Sequence, residues 1–120
     1  MRASKPAPVG VQFTPERFRN QVALVVGGGQ GIDRAIAMRL ARELGHYGIN
    51  SNAVGPGLIR TRFSETFIRD PKFIKKYESL IPVGRIGTPE DVAGPATFLA
   101  SRDADYVNGA LLFVDGGQLA

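Results

Sequence analysis

The 120-residue chain has no cysteine and a single histidine, His46. The first absence excludes a disulfide framework, a thiol nucleophile and a cysteine-ligated metal; the second excludes a multi-histidine metal centre. No apolar run reaches the ~18 residues that a membrane span requires. Residues 1–12 carry Arg2 and Lys5 but lack the apolar core of a secretory leader, so the expectation is a cytoplasmic protein. No stacking aromatics are spaced among the basic residues, which argues against nucleic acid as a partner. The net charge of +4 is nonetheless uneven. Arg60, Arg62, Arg69, Lys72, Lys75 and Lys76 face only Glu65 and Asp70 within residues 60–76, a pattern expected of solvated faces of short helices.

What is present is one small domain, 43% hydrophobic, organised around the stretch from Val22 to Asp33. Val22 to Val26 is an unbroken, β-branched-rich run, as in a parallel strand buried on both faces. Gly27 to Gly31 supplies a turn that tolerates positive φ and close approach of another molecule. Ile32, Ile36, Leu40 and Leu44 then recur every four residues, with Ala35 and Ala41 beside them, and predict a helix from near Gly31 to about Gly45. Strand, glycine turn and helix N-terminus together converge free N–H groups and a positive dipole end on one point, the arrangement that holds a pyrophosphate. A tight βα connection without a ligand has the same glycines, so context decides between the two.

The rest of the chain follows in order. Residues 1–20, with Pro6, Pro8 and Pro15, read as a flexible lead-in, and residues 21–120 as the domain proper. Ile49 to Val54 reads as a second strand, unusually polar at Asn50, Ser51 and Asn52, and stopped by Gly55-Pro56-Gly57. Two short amphipathic helices broken at Asp70-Pro71 carry Phe63, Phe67, Phe73, Ile74, Tyr77 and Leu80. Thr88-Pro89-Glu90-Asp91 is a helix start with cap, proline and acid in register. Val92, Ala93, Ala96, Leu99 and Ala100 are expected on the inner face of that helix. Ala110 to Val114 reads as the last strand.

These motifs resemble those of the short-chain dehydrogenase/reductase family. Val26, Gly27, Gly31, Ile32 and Asp33 stand at the positions of its Thr-Gly-x-x-x-Gly-Ile-Gly turn, with valine in place of the threonine and Asp33 in place of the third glycine. Ala41 to Gly57 is similar to the end of the family's fifth helix, its sixth strand and the Pro-Gly turn. Ile81 to Ala93 is similar to the approach to its final helix, and Tyr106 to Gly117 to its last strand. The resemblance implies an NAD or NADP cofactor, with Gly27, Gly31 and Ile32 facing the pyrophosphate and Pro56, Ile59 and Thr61 near the nicotinamide. Thr61 reads equally well as a turn or cap residue. Gln30, where NADP-preferring relatives carry a base, leans toward NAD.

What the family places between these parts has no counterpart here: strands two to five, the Asn-Asn-Ala-Gly motif, the catalytic serine and the Tyr-x-x-x-Lys pair. Tyr47, Tyr77 and Tyr106 are followed four residues on by Ser51, Ile81 and Ala110, so no tyrosine shares a helical face with a lysine able to lower its pKa. No residue is therefore assigned to catalysis or to a metal. The join falls within Met38 to Gly45. The expectation is a reduced Rossmann-like three-layer α/β domain with three parallel strands in sequence order and right-handed helical crossovers. Its function would be that of a truncated oxidoreductase relative, unable to transfer hydride alone and binding a dinucleotide weakly. The alternatives are a non-catalytic subunit that pairs with a full-length relative, or a gene remnant without function. Two open sheet edges and an apolar lid also predict that the chain forms a homo-oligomer, binds a relative or is poorly soluble, and the resemblance implies a contact through the last strand and final helix.

Overall fold

The computed structural model describes residues 19–27 and 31–120. The expected lead-in falls almost wholly outside the described residues, as does Gln30. Three strands form one parallel sheet in the order β1-β2-β3: β1 (Val22–Val26), β2 (Asn50–Pro56) and β3 (Leu111–Val114). Val22 pairs with Asn50 and Val26 with Val54, while Ala53 pairs with Leu111 and Pro56 with Val114. Helix α1 (Ile32–Leu44) joins β1 to β2. Helices α2 (Glu65–Ile68), α3 (Pro71–Glu78) and α4 (Pro89–Ala100) lie between β2 and β3.

The local signals in the sequence are realised by identifiable bonds. Asp70 caps α3, its side chain accepting from the Lys72 N–H at 2.9 Å, with Pro71 in the first turn. The Asp91 carboxylate accepts from the Thr88 N–H at 2.8 Å, completing a capping box at the start of α4. Arg85 adds a two-pronged ion pair to the same carboxylate, at 2.6 and 2.8 Å. The Arg85 guanidinium and the Thr88 N–H hold the Asp91 carboxyl well below the usual carboxylate range.

Both faces of β2 are covered, and Ser51 to Val54 is buried throughout. Val54 packs with Leu24, Leu112 and Val114 against Val92, Ala96 and Leu99 of α4. Ser51 and Ala53 alternate to the other face, over which α1 packs, burying Ala37 and Ala41. The helices α1 and α4 therefore lie on opposite faces, giving the three layers expected. With β1, β2 and β3 advancing in one direction across the sheet, helices on opposite faces require crossovers of opposite hand. The expectation of two right-handed crossovers holds for at most one of them.

Two inner faces also differ from the sequence pattern. The line of α1 against the sheet is Ala37 and Ala41, while Ile32 is 77% exposed and Ile36 also faces solvent. Small residues let the helix sit close on the strands, and the bulkier isoleucines are turned outward. On α4, Val92, Ala96 and Leu99 face inward as expected, but Ala93 and Ala100 are exposed.

The asparagine amides and the Ser51 N–H at the polar start of β2 are satisfied by the segment that leads into β3, while the buried Ser51 hydroxyl has no partner. Asn52 donates to the Val107 carbonyl and accepts from the Ala110 N–H, both at 2.9 Å. Asn108 accepts from the Ser51 N–H at 2.9 Å and donates to the Ala41 carbonyl at 3.1 Å. Asn50 donates to the Asp105 carbonyl at 2.9 Å. These side chains replace strand ladder bonds where β3 has not yet begun, which explains why buried positions carry asparagine.

Candidate functional site

A parallel sheet with helices on its faces collects its connecting loops at the carboxyl ends of the strands, and ligands bind there. The structure brings all six sequence-assigned residues to that end. Gly27 follows β1 directly, Gly31 and Ile32 open α1, and Pro56 closes β2 with Ile59 and Thr61 beyond it. Because Val26 pairs with Val54, the glycine turn and the Pro-Gly turn leave neighbouring strands, one strand spacing of ~4.8 Å apart.

The glycine turn shows where a phosphate could approach and what stands in its way. Gly31 adopts φ 71°, a left-handed conformation that a side chain disfavours, and caps α1 without any side-chain hydrogen bond. The Gly27 N–H is committed to the Val54 carbonyl at 3.1 Å. Directly above Gly27 lies the Asp33 carboxylate: a Cβ placed on Gly27 would collide with it. A side-chain anion thus fills the space over Gly27, at the N-terminal end of α1. The residues present do not fit a pyrophosphate at this point, since the Asp33 carboxylate both occupies the volume and repels the charge. The Ile32 side chain points into solvent, so only its backbone faces the turn.

The second loop is organised by a residue that sequence reasoning passed over. Buried Ser64 donates its hydroxyl to the Ile59 carbonyl at 2.6 Å and accepts from the Thr61 N–H at 2.9 Å. Thr61 and Ser64 exchange further contacts at 3.4 Å through the Thr61 Oγ1. The turn and cap reading of Thr61 is therefore realised, its hydroxyl facing Ser64. Ile59 forms a parallel bridge to Gly87, with Arg60 N–H donating to the Gly87 carbonyl at 2.8 Å. The signal for Ser64 was available in the Thr61-x-x-Ser64 spacing, which suits a side-chain-closed turn.

Beside Pro56 a cleft of about 330 Å³ is lined by Gly55, Leu58, Tyr77, Phe113, Asp115 and Gln118. That volume is at the lower limit of small-molecule sites. Its polar groups are already paired: the Tyr77 hydroxyl and the Gln118 amide bond one another at 3.1 to 3.2 Å. The Asp115 carboxylate accepts from the Gly117 and Leu119 N–H groups. Tyr106 is fully exposed and Tyr47 lies against His46 at 4.0 Å between ring centres. No tyrosine among the described residues has a lysine as a hydrogen-bond partner, and no group of metal-ligating side chains assembles among them.

Comparisons with known proteins agree with this fold. A family model described as enoyl-(acyl carrier protein) reductase matches residues 33–118. The L-rhamnose-1-dehydrogenase of Scheffersomyces stipitis is 55% identical over 77 residues, which cover 64% of this chain and 30% of that protein. The 2-dehydro-3-deoxy-D-gluconate 5-dehydrogenase of Pseudoalteromonas atlantica is 40% identical over 110 residues, covering 89% of this chain and 43% of its own length. A crystal structure of a gluconate 5-dehydrogenase from Burkholderia cenocepacia, in complex with NADP and tartrate, superposes with a TM-score of 0.72 at 27% identity. It covers 82% of this chain and 44% of the crystallised one. The chain thus spans between about a third and a half of the length of these relatives.

Proposed function

Because the chain belongs to the short-chain dehydrogenase/reductase family, we propose that it is a partial relative of NAD(P)-dependent oxidoreductases that does not transfer hydride by itself. It keeps the turn at Gly27 and Gly31 and the loop carrying Pro56, Ile59 and Thr61, and binds a dinucleotide weakly at most. The observation that carries this reading is the direct pairing of β1 with β2. In complete members, as the resemblance implies, two further strands separate the pair, so the pyrophosphate and nicotinamide half-sites lie about three strand spacings apart, ~14 Å. Here they are neighbours, so the pyrophosphate and nicotinamide positions no longer keep the spacing that one bound dinucleotide needs. The filled space over Gly27 supports the same conclusion at the pyrophosphate position itself. NAD and NADP both remain cofactor candidates for the half-sites.

The chemistry points the same way. Hydride transfer to or from an alcohol needs a proton donor or acceptor at the oxygen and groups that hold it. The tyrosine hydroxyls are engaged elsewhere, as with Tyr77, or stand in solvent, as with Tyr106, and the Ser51 hydroxyl is buried within the sheet without a partner, away from the carboxyl ends of the strands. The test is an absorbance assay of the purified full chain with NAD or NADP and a panel of alcohols, sugars and ketones. No change in reduced nicotinamide is expected, and turnover abolished by a change at Gly31 would refute the reading.

A second reading is a non-catalytic partner of a full-length relative. The exposure of Phe63, 88%, and of Phe67 and Leu80 on the α2–α3 segment favours it, since such side chains seek cover. Co-purification of the chain with a complete family member from the same cells, lost on changing Phe63 and Phe67 to serine, is the result that would establish it.

A further inference from the structure

We propose that β1 is the interface of a symmetric dimer, in which the outer edge of β1 pairs antiparallel with the same edge of a second copy, centred on Leu24. Among the described residues, β1 is hydrogen-bonded on one side only, to β2. In a parallel pair, alternate residues direct both backbone groups to the neighbour. The Gly27 N–H points to β2, so the N–H and C=O groups of Val22, Leu24 and Val26 point outward. That outward set is self-complementary. Placing Leu24 against the partner's Leu24 sets Val22 against the partner's Val26 and Val26 against the partner's Val22. All three pairs are then of the directly hydrogen-bonded kind, and the two sheets merge into one of six strands.

The side chains and charges fit the same partner. Val22 is 40% and Val26 59% exposed, and cross-strand β-branched pairs are favourable contacts. Val22 and Val26 lie on the α4 face of this edge, and on the opposite face α1, packed on β1 and β2, exposes Ile36 as well as Ile32. Together these four side chains leave on the order of 400 Å² of apolar surface open per copy, to which the bare strand edge adds, against roughly 600 Å² per copy for a stable dimer. From Asn20 to Ile32 the sequence has no charged residue and no proline, the usual means of blunting an edge. The charges that flank this stretch are complementary across the two-fold. Arg19, at the base of β1, comes to the end of the partner's strand where its Asp33 carboxylate lies. The β3 edge is a poorer candidate: it is four residues long and Asp115 follows it at once. This places the contact at the opposite edge of the sheet from the last strand and final helix that the family resemblance implied.

Sedimentation equilibrium on the full chain, with register-specific cross-linking, tests the proposal. The unmodified chain is expected to dimerise at tens of micromolar. Val26→Pro removes only an outward N–H, so it should raise the dimer dissociation constant at least tenfold with the far-ultraviolet dichroism unchanged. If that variant does not fold, Val22→Lys with Val26→Lys, which opposes like charges across the two-fold, replaces it with the same expectation. Phe113→Lys, on β3, should change nothing. The chain lacks native cysteine, so a mixture of Val22→Cys and Val26→Cys chains should form a disulfide under mild oxidation, and neither chain alone should. A monomer at 100 µM, an open-ended polymer, a dimer lost on Phe113→Lys, or cross-linking of Val22→Cys with itself would overturn the proposal.

Discussion

The Asp33 carboxylate occupies the position that a Gly27 side chain would take, so one residue of α1 plugs the turn that precedes it. Two opposed effects follow. The carboxylate interacts well with the positive end of α1, worth a few tenths of a kcal/mol to ~1. It also denies that same end to a phosphate. Asp33→Gly should therefore tighten dinucleotide binding from a dissociation constant on the order of millimolar by about tenfold, ~1.4 kcal/mol, with a small loss of thermal stability. Calorimetric titration of both chains with NAD and NADP measures it. Micromolar affinity in the unmodified chain, or weaker binding after Asp33→Gly, would show that the carboxylate does not face the ligand.

A second expectation concerns the buried amide of Asn52. Replacing Asn52 by alanine strands the Val107 carbonyl and the Ala110 N–H in the interior and opens a small cavity. A loss of roughly 3 kcal/mol is expected, from about 1–3 kcal/mol per unsatisfied group. Urea unfolding monitored by circular dichroism reads it. A loss under ~1 kcal/mol would mean that solvent reaches the start of β3.

The Arg85–Asp91 pair gives a dependence on acid. The folded-state pKa of Asp91 lies below its ordinary value of 3.8, so its contribution is complete above about pH 4 and disappears as the pH falls through the folded value. Asp91→Asn should melt at a lower temperature than the unmodified chain at pH 7, and the gap should narrow steadily below pH 4. Melting curves at pH 7, 4 and 2.5 provide the comparison. A gap that stayed constant with pH would assign the effect to the shape of the α4 cap rather than to its charge.

A fourth prediction isolates Ser64. Ser64→Ala removes the donor to the Ile59 carbonyl and the acceptor for the Thr61 N–H, which should free residues 57–64 without unfolding the sheet. Hydrogen exchange at Thr61 and Arg60 should rise at least tenfold while exchange in β2 stays unchanged. Equal acceleration at Ala53 would show that the loop and the strand open together.

Much of this architecture was legible in the residues. The limits of β1 and α1, the break at Asp70-Pro71 and the capped start of α4 each depend on local chemistry, which a sequence displays. The burial expected on both faces of β1 is not found, because β1 is an edge strand with Val22 and Val26 exposed. The parallel order of the strands followed from the same spacing. The face that α1 presents was not legible, because periodicity marks Ile32 and Ile36 as readily as Ala37 and Ala41, and only the close approach of helix to sheet selects the alanines. The hand of the crossovers was hidden too, since it depends on which face of the sheet α4 covers. Asn50, Ser51 and Asn52 looked anomalous for a buried strand because their partners lie more than fifty residues downstream. The placement of Gly27, Gly31, Ile32, Pro56, Ile59 and Thr61 at or beyond the carboxyl ends of the strands followed from the element order, whereas the organising role of Ser64 depends on a fold-back that its own side chain creates.

Those distant partners also set the order of events as the chain is made. Strand β2 is synthesised early, yet the groups that satisfy its amides belong to residues 104–110. A nascent chain ending before that segment holds a strand with unpaired polar groups and no third strand beside it, so β1, α1 and β2 gain little by docking early. Contacts of such long sequence separation close late and slowly. The sheet therefore assembles as one cooperative unit once residue 110 has left the ribosome, and a chain stalled short of it exposes β1 and β2 to whatever else is in the cell.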